Sequence, residues 1–299
     1  MGSSLKENTP KVVLGLTILF TYSLLILGNL VTTTGSGLDC PDWPLCHGTV
    51  IPPANIGIWI EWSHRLLGGV TGTLIIFSSI YILKRTSGGI KFFMKAVLVL
   101  IITVVLLGGA VVLIEAPFLD TLLRITVVSS HIVIAALIFV LLVISYRPIA
   151  RGTEEPPKDK YQLWLFGIVA AQAIIGVLVR YSNSSLACPD WPLCQGAILP
   201  PSLLPEVLVH YTHRLVAYII LGLTGYQLYV SLNAKSPRAV TDAITFVAVS
   251  AQATLGVLIV LTEMFLPVLV LHGATAFFIL GWSAWLAAPS IVTGKEVKA

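Results

Sequence analysis

Eight apolar runs, each about as long as one bilayer crossing, constrain this chain more than any other feature. They are Val12–Val31, Trp62–Leu83, Ala96–Ile114, Ile125–Ser145, Leu163–Val179, Val207–Leu232, Ala243–Leu261 and Phe265–Ala288. A spanning helix needs roughly 17–25 apolar residues, so each run crosses once and none crosses twice. A membrane barrel would show short segments of alternating polarity instead. Composition agrees, with 56% hydrophobic and 11% charged residues against the roughly 25% charged of a soluble domain. A water-soluble enzyme is excluded, and so is a disordered chain, which combines low hydrophobicity with high net charge. The expected fold class is an all-α polytopic membrane protein with eight transmembrane helices. No small-residue cleavage site follows the first run, so it is expected to remain as a helix.

Eighteen Lys and Arg residues leave a net charge of +4, and their placement sets the orientation. One face receives Lys6, Lys11, Lys84, Arg85, Lys91, Lys95, Arg147, Arg151, Lys158, Lys160, Lys235, Arg238, Lys295 and Lys298. The other receives only Arg65, Arg124, Arg180 and Arg214. Cytoplasmic flanks carry such an excess, so both termini are expected to be cytoplasmic. Topology accounts for the basic bias, which therefore does not signal nucleic acid.

The chain is duplicated. Gly28-Asn-Leu-Val31 precedes Cys-Pro-Asp-Trp-Pro-Leu-Cys at 40–46, and Gly176-Val-Leu-Val179 precedes the same seven residues at 188–194. Ser63-His64-Arg65 matches Thr212-His213-Arg214, Leu107-Gly108 matches Leu255-Gly256, and His131 matches His272. Two tandem, pseudo-symmetric four-helix bundles are expected: residues 1–149 and 162–299, joined by a charged cytoplasmic linker at 150–161. An even number of crossings per repeat makes them parallel repeats, with corresponding sites at equal depth.

Four of the six histidines occupy repeat-equivalent places: His64, His131, His213 and His272. All lie near the outer ends of even-numbered spans, at depths of roughly 6–12 Å. Two imidazoles on different helices at one depth are how a bundle holds a haem between axial nitrogens. Interhelical hydrogen bonding is the plainer use of a membrane histidine, but ionisable groups inside spans are rare and usually functional. Zinc would want further close ligands. Arg65 and Arg214 follow two of these histidines and suit either snorkelling to the interface or pairing with haem propionates.

The halves differ at one telling place. Glu61 stands three residues before His64, whereas His210 stands three before His213, and residues three apart share a helix face. Glu61 could serve the helix dipole, or it could accept a proton or stabilise a developing cation. His47, opposite Gln195, reads as a solvated loop residue. The four cysteines form two Cys-x5-Cys loops on the outer, oxidising face, where disulfides persist. Cys40–Cys46 and Cys188–Cys194 are the expected bridges. The second reads as a staple. The first, close to Glu61, is either a staple or a redox-active pair open to thiol–disulfide exchange.

These motifs together resemble the haem A synthase family, in its eight-helix bacterial form with cysteine pairs in the outer loops. The resemblance rests on Gly35-Ser36-Gly37, the two cysteine loops, Glu61-Trp62-Ser63-His64-Arg65, His131, His213-Arg214 and His272, and covers almost the whole chain. It implies oxidation of the C8 methyl of haem O to a formyl group by successive hydroxylations, giving haem A for cytochrome oxidase. It also implies haem B as cofactor on His213 and His272, with Arg214 near its propionates. Substrate haem O would bind near His64, His131 and Arg65, with Glu61 catalytic. The setting implied is the bacterial cytoplasmic membrane, with the cysteine loops outside. Haem O synthase, an electron acceptor and a thiol–disulfide exchange protein are the implied partners. A homo-oligomer and a monomer are both compatible with surfaces that are apolar throughout. The competing readings are a dihaem B electron carrier, a membrane disulfide oxidoreductase and a transporter. The first leaves Glu61 without a use, the second leaves four histidines unexplained, and the third expects a midplane site.

Overall fold

A computed structural model describes residues 2–114, 121–151 and 158–292. Its helices are α1 (Gly2–Thr34), α2 (Ile56–Leu83), α3 (Gly88–Ile114), α4 (Thr121–Arg151), α5 (Lys160–Tyr181), α6 (Pro205–Asn233), α7 (Ala239–Leu261) and α8 (Leu266–Ile291). All eight are long and apolar enough to span a bilayer, as the apolar runs required. Arg124 lies in α4 with its side chain outside the described ones. Lys295, Lys298 and residues 152–157 of the linker are also outside the described part.

Several helices start before their apolar runs do. The sequence placed the second span from Trp62, yet α2 begins at Ile56, because the Asn55 side chain caps it by accepting the Gly57 N–H at 2.9 Å. That cap satisfies one of the orphan donors of the first turn. The early start places Glu61 inside a helix rather than at its mouth. The α6 helix opens on Pro205, which suits a first helical position, two residues before its apolar run.

The chain divides into two compact units, Met1–Leu163 with Ala284–Ala299, and Trp164–Ser283. In the first, α1 packs on α2 and α4, and α3 packs on α2 and α4, so the four helices close a ring. In the second, α6 packs on α7, Gln172 of α5 reaches α6, and Trp282 of α8 donates to Thr245 of α7 at 2.9 Å. Large apolar side chains such as Phe77, Phe92, Val99, Leu106 and Val247 face outward, as lipid-facing positions do. Small hydroxyl residues take the inside. Thr17, Thr21 and Thr224 are buried and donate to the carbonyl four residues back at 2.7–2.9 Å. They therefore need no partner in hydrocarbon and let neighbouring helices come close.

Candidate functional site

Each cysteine loop is a small folded object. The disulfides Cys40–Cys46 and Cys188–Cys194 are both formed, and their four cysteines are buried. Directly after the second cysteine the chain reverses through two residues of positive φ, His47 and Gly48 in the first loop, Gln195 and Gly196 in the second. Paired backbone bonds Cys46–Thr49 and Cys194–Ala197 flank them. That is a two-residue hairpin turn needing φ > 0 at both centres, which explains the glycine in each copy. The Asp42 carboxylate accepts the His47 and Gly48 N–H groups at 2.6 and 2.8 Å. Asp190 does the same for Gln195 and Gly196 at 2.7 and 2.8 Å.

These bonds hold both aspartates below the ordinary carboxylate range, the glycine N–H being the largest cause in each loop. A depressed folded-state pKa means the contribution to loop stability is whole above the unfolded value and lost as pH falls through the folded one. Protection of the Gly48 and Gly196 amides, taken as the exchange rate relative to the unstructured rate at the same pH, is therefore expected to hold at neutral pH and to fall only in strong acid. Asp42→Ala is expected to abolish that protection in the first loop alone. Equal exchange in mutant and parent would refute the assignment.

His47 now has a use. Its Nε2 lies 2.9 Å from the Asp39 carbonyl, and Gln195 donates to the matching Ala187 carbonyl at 3.2 Å. The two residues differ in type yet hold the same strand of loop.

Arg65 and Arg214 hold the loops from below. Arg65 donates to the carbonyls of Asp42 (2.5 Å), Leu45 (2.6 Å) and Cys40 (3.0 Å), and forms an ion pair with Glu61. Arg214 donates to Asp190 and Leu193 (both 2.8 Å) and Cys188 (2.6 Å), and its Nε approaches His210 Nε2 at 3.1 Å. Four of the five N–H groups on each guanidinium are thus engaged.

Glu61 is buried, at 3% exposure, and accepts the Cys40 N–H at 2.8 Å as well as Arg65. His210 is equally buried and stands in the same place, with its Nδ1 3.3 Å from the Cys188 nitrogen. A carboxylate accepts both donors. A neutral imidazole has one lone pair in its ring plane and accepts only one. The same place against the cysteine loop therefore holds a carboxylate in the first unit and an imidazole in the second.

The four histidines sit one to a helix, each against a glycine of the helix before it. An added Cβ would lie 3.0 Å from the His64 ring at Gly28, 3.2 Å from His131 at Gly108, 3.2 Å from His213 at Gly176 and 3.3 Å from His272 at Gly256. Any larger residue would push the ring aside. The repeat showed these glycines, but only the fold shows what they do. His64 and His131 are near enough for charge on one to be felt at the other, and so are His213 and His272. His131 Nδ1 lies 3.0 Å from the Val104 carbonyl, which requires a proton on Nδ1 and leaves Nε2 with its lone pair. The Gln252 amide nitrogen lies 3.1 Å from His272 Nε2, and Gln172 donates to the His213 carbonyl at 2.8 Å. Neither glutamine was singled out from sequence, since Leu24 and Val104 stand at the equivalent places of the first repeat.

The set fits haem. The Nδ1 atoms of His64 and His213 are buried without a hydrogen-bond partner. A buried polar atom left so costs of order 1–3 kcal/mol, which suits imidazoles kept for a ligand. Among the described residues no three His, Cys, Asp or Glu side chains group as a bare metal ion requires. Two imidazoles on different helices of one bundle are the kind of pair that can hold a porphyrin iron.

Eight spans and an imidazole pair in each of two units make this a multi-pass membrane protein of the haem-handling kind. Residues 11–284 match the COX15-CtaA family, described as cytochrome oxidase assembly protein, and the chain belongs to that family. It is similar to the heme A synthase of Alkalihalophilus pseudofirmus, 33% identical over 269 residues, covering 83% of this chain and 86% of that one. The heme A synthase of Geobacillus kaustophilus is 33% identical over 275 residues, 88% of this chain and 84% of its own. That of Bacillus cereus is 32% identical over 304 residues, 95% and 96% of the two chains. The family resemblance drawn from the motifs is therefore borne out.

Proposed function

We propose that this protein is an enzyme that oxidises the C8 methyl of haem O to a formyl group by successive hydroxylations, yielding haem A for cytochrome oxidase. The observation that carries the reading is the buried Glu61 carboxylate standing where the second unit has His210. Two sites built alike for porphyrin differ here in that the first has a carboxylate, able to be anionic, where the second has an imidazole. The relatives named heme A synthase support the same reading.

In this reading the first unit, residues 1–149, takes haem O between His64 and His131, and the second, residues 162–299, holds haem B on His213 and His272. When bound, haem B supplies redox chemistry that no side chain possesses. The chain's own residues position and protect. Gly28, Gly108, Gly176 and Gly256 fix the ring planes, and the Val104 carbonyl fixes the tautomer of His131. The Glu61 carboxylate takes a proton lost from the methyl or steadies the positive charge that builds there. Arg65 keeps it in place, and the last N–H of Arg65 and of Arg214 remains for a propionate. Each hydroxylation replaces a methyl hydrogen with a hydroxyl taken from water and releases two electrons to an acceptor and two protons. The resulting geminal diol loses water to leave the aldehyde. Both cysteine pairs act as staples over the sites. The Cys40–Cys46 sulfurs are buried, so a thiol–disulfide exchange protein would reach them only once the loop opens. The setting is the bacterial cytoplasmic membrane, with these loops outside and both termini inside, and haem O synthase is the natural donor of substrate.

The test is to purify the protein in detergent, extract its haems and separate them with mass detection. Haem B accompanied by haem O, a hydroxylated intermediate or haem A is the expected result. Haem B alone, at two per chain from cells that make haem O, would make this an electron carrier and overturn the proposal.

A further inference from the structure

The two cysteine loops share seven residues, yet their tryptophans lie in different places. The face of Trp43 rests on Gly109 of α3: an added Cβ there would meet ring atoms Cδ2, Cε2 and Cε3 at 3.5–3.6 Å. The next residue back, Gly108, holds His131. Trp191 instead donates its Nε1 proton to the Tyr218 hydroxyl of α6 at 3.1 Å. The walls differ in a reciprocal way. With Gly108 opposite Gly256, Gly109 is opposite Val257. With His64 opposite His213, Gly69 is opposite Tyr218. A valine on α7 removes the flat seat that an indole needs, and a tyrosine on α6 offers a hydrogen bond in its stead. The first unit has the seat and lacks the hydroxyl.

We propose that Trp43, closed on Gly109, is the substrate-retaining residue of the first site: an indole door beside His131 that shuts over the porphyrin and opens for exchange. Resting on the functional reading above, this accounts for why one of two similar sites turns its haem over. The frame of the door is rigid, since Arg65 holds the carbonyls of Asp42 and Leu45 on either side of Trp43. The indole itself is held on Gly109 by dispersion alone, so it can leave without breaking a polar bond. When shut, it holds the porphyrin in place during oxidation. Trp191, fixed to Tyr218 by a directional bond, has no such freedom.

The experiment uses the full-length protein in detergent, loaded with haem O, and follows transfer of haem O and haem A to apomyoglobin by absorbance. Haem B content is measured in parallel. Trp43→Ala and Gly109→Val are expected to release the first-site porphyrin roughly tenfold faster than the parent, the loss of one good aromatic contact. Gly109→Ala is expected to change release by no more than about twofold, because its methyl meets the ring at ordinary contact distance. Trp43→Phe, which keeps an aromatic face on the glycine, is expected to fall between parent and Trp43→Ala. Haem B should remain in all four. Parent-like release from both Trp43→Ala and Gly109→Val would overturn the door while leaving the function reading intact. A parent protein that takes up no haem O would overturn the function reading, and the door with it.

Discussion

Replacing His213 or His272 with alanine is expected to strip the resident haem B, lowering the reduced-state absorbance at least about tenfold. Each ring is the sole imidazole its helix offers at that place, pinned by Gly176 or Gly256 so that no neighbour can move in. His213 keeps a buried Nδ1 with no hydrogen-bond partner. His210 cannot substitute for either. Its ring lies between the Cys188 nitrogen and the Arg214 guanidinium, whereas the ring against Gly176 is that of His213. If His213 and His272 together hold the haem B, loss of either would remove one of the two side chains that keep it in the second unit. His64→Ala and His131→Ala should leave that absorbance in place and weaken uptake of haem O. Unchanged spectra in the His213 and His272 variants would sink the assignment, whatever the activity.

Glu61→Gln is expected to keep haem B and to slow conversion of haem O by about 10²-fold or more, the usual size of a lost proton-transfer or charge-stabilising group. The fold should survive. Glutamine can still accept the Cys40 N–H, and Arg65 stays anchored to the carbonyls of Cys40, Asp42 and Leu45. Glu61→His is the informative companion, because it copies the group that the second unit uses at this place. It should form the loop, retain haem B and remain inactive. Conversion at the parent's rate in either variant would show that the carboxylate serves only to hold Arg65. Loss of haem B in both would mean instead that the substitution disturbs the fold.

Much of the architecture was legible because a bilayer leaves a chain few choices. Backbone polar groups in hydrocarbon must pair within the segment, so eight apolar runs meant eight helices, and duplication made the histidines stand out as a matched set. Both disulfides were legible for a similar local reason: five residues between cysteines, in a proline-rich loop, keep the thiols within reach. Helix starts were less so. Hydropathy weighs side chains, whereas α2 begins where Asn55 caps it, six residues before the apolar run. The arginines show a deeper limit. Beside a histidine, Arg65 read equally well as a propionate partner or a snorkelling residue, and its hold on three loop carbonyls involves residues 20–25 positions away.

The sequence by itself thus determined the number of spans, the pairing of the repeats, the four ring-bearing positions and the family. Those depend on composition, periodicity and identity along the chain, which need no partner in space. Tertiary structure alone decided what each glycine is for, that Glu61 and His210 answer the same donors with different capacity, and that two identical Trp-Pro pairs send their indoles to different helices. Each of these depends on which surface faces a side chain across the bundle. Gly109 and Val257, or Gly69 and Tyr218, are one substitution apart in the alignment of the repeats, but only packing turns that difference into a seat for one tryptophan and a hydrogen bond for the other.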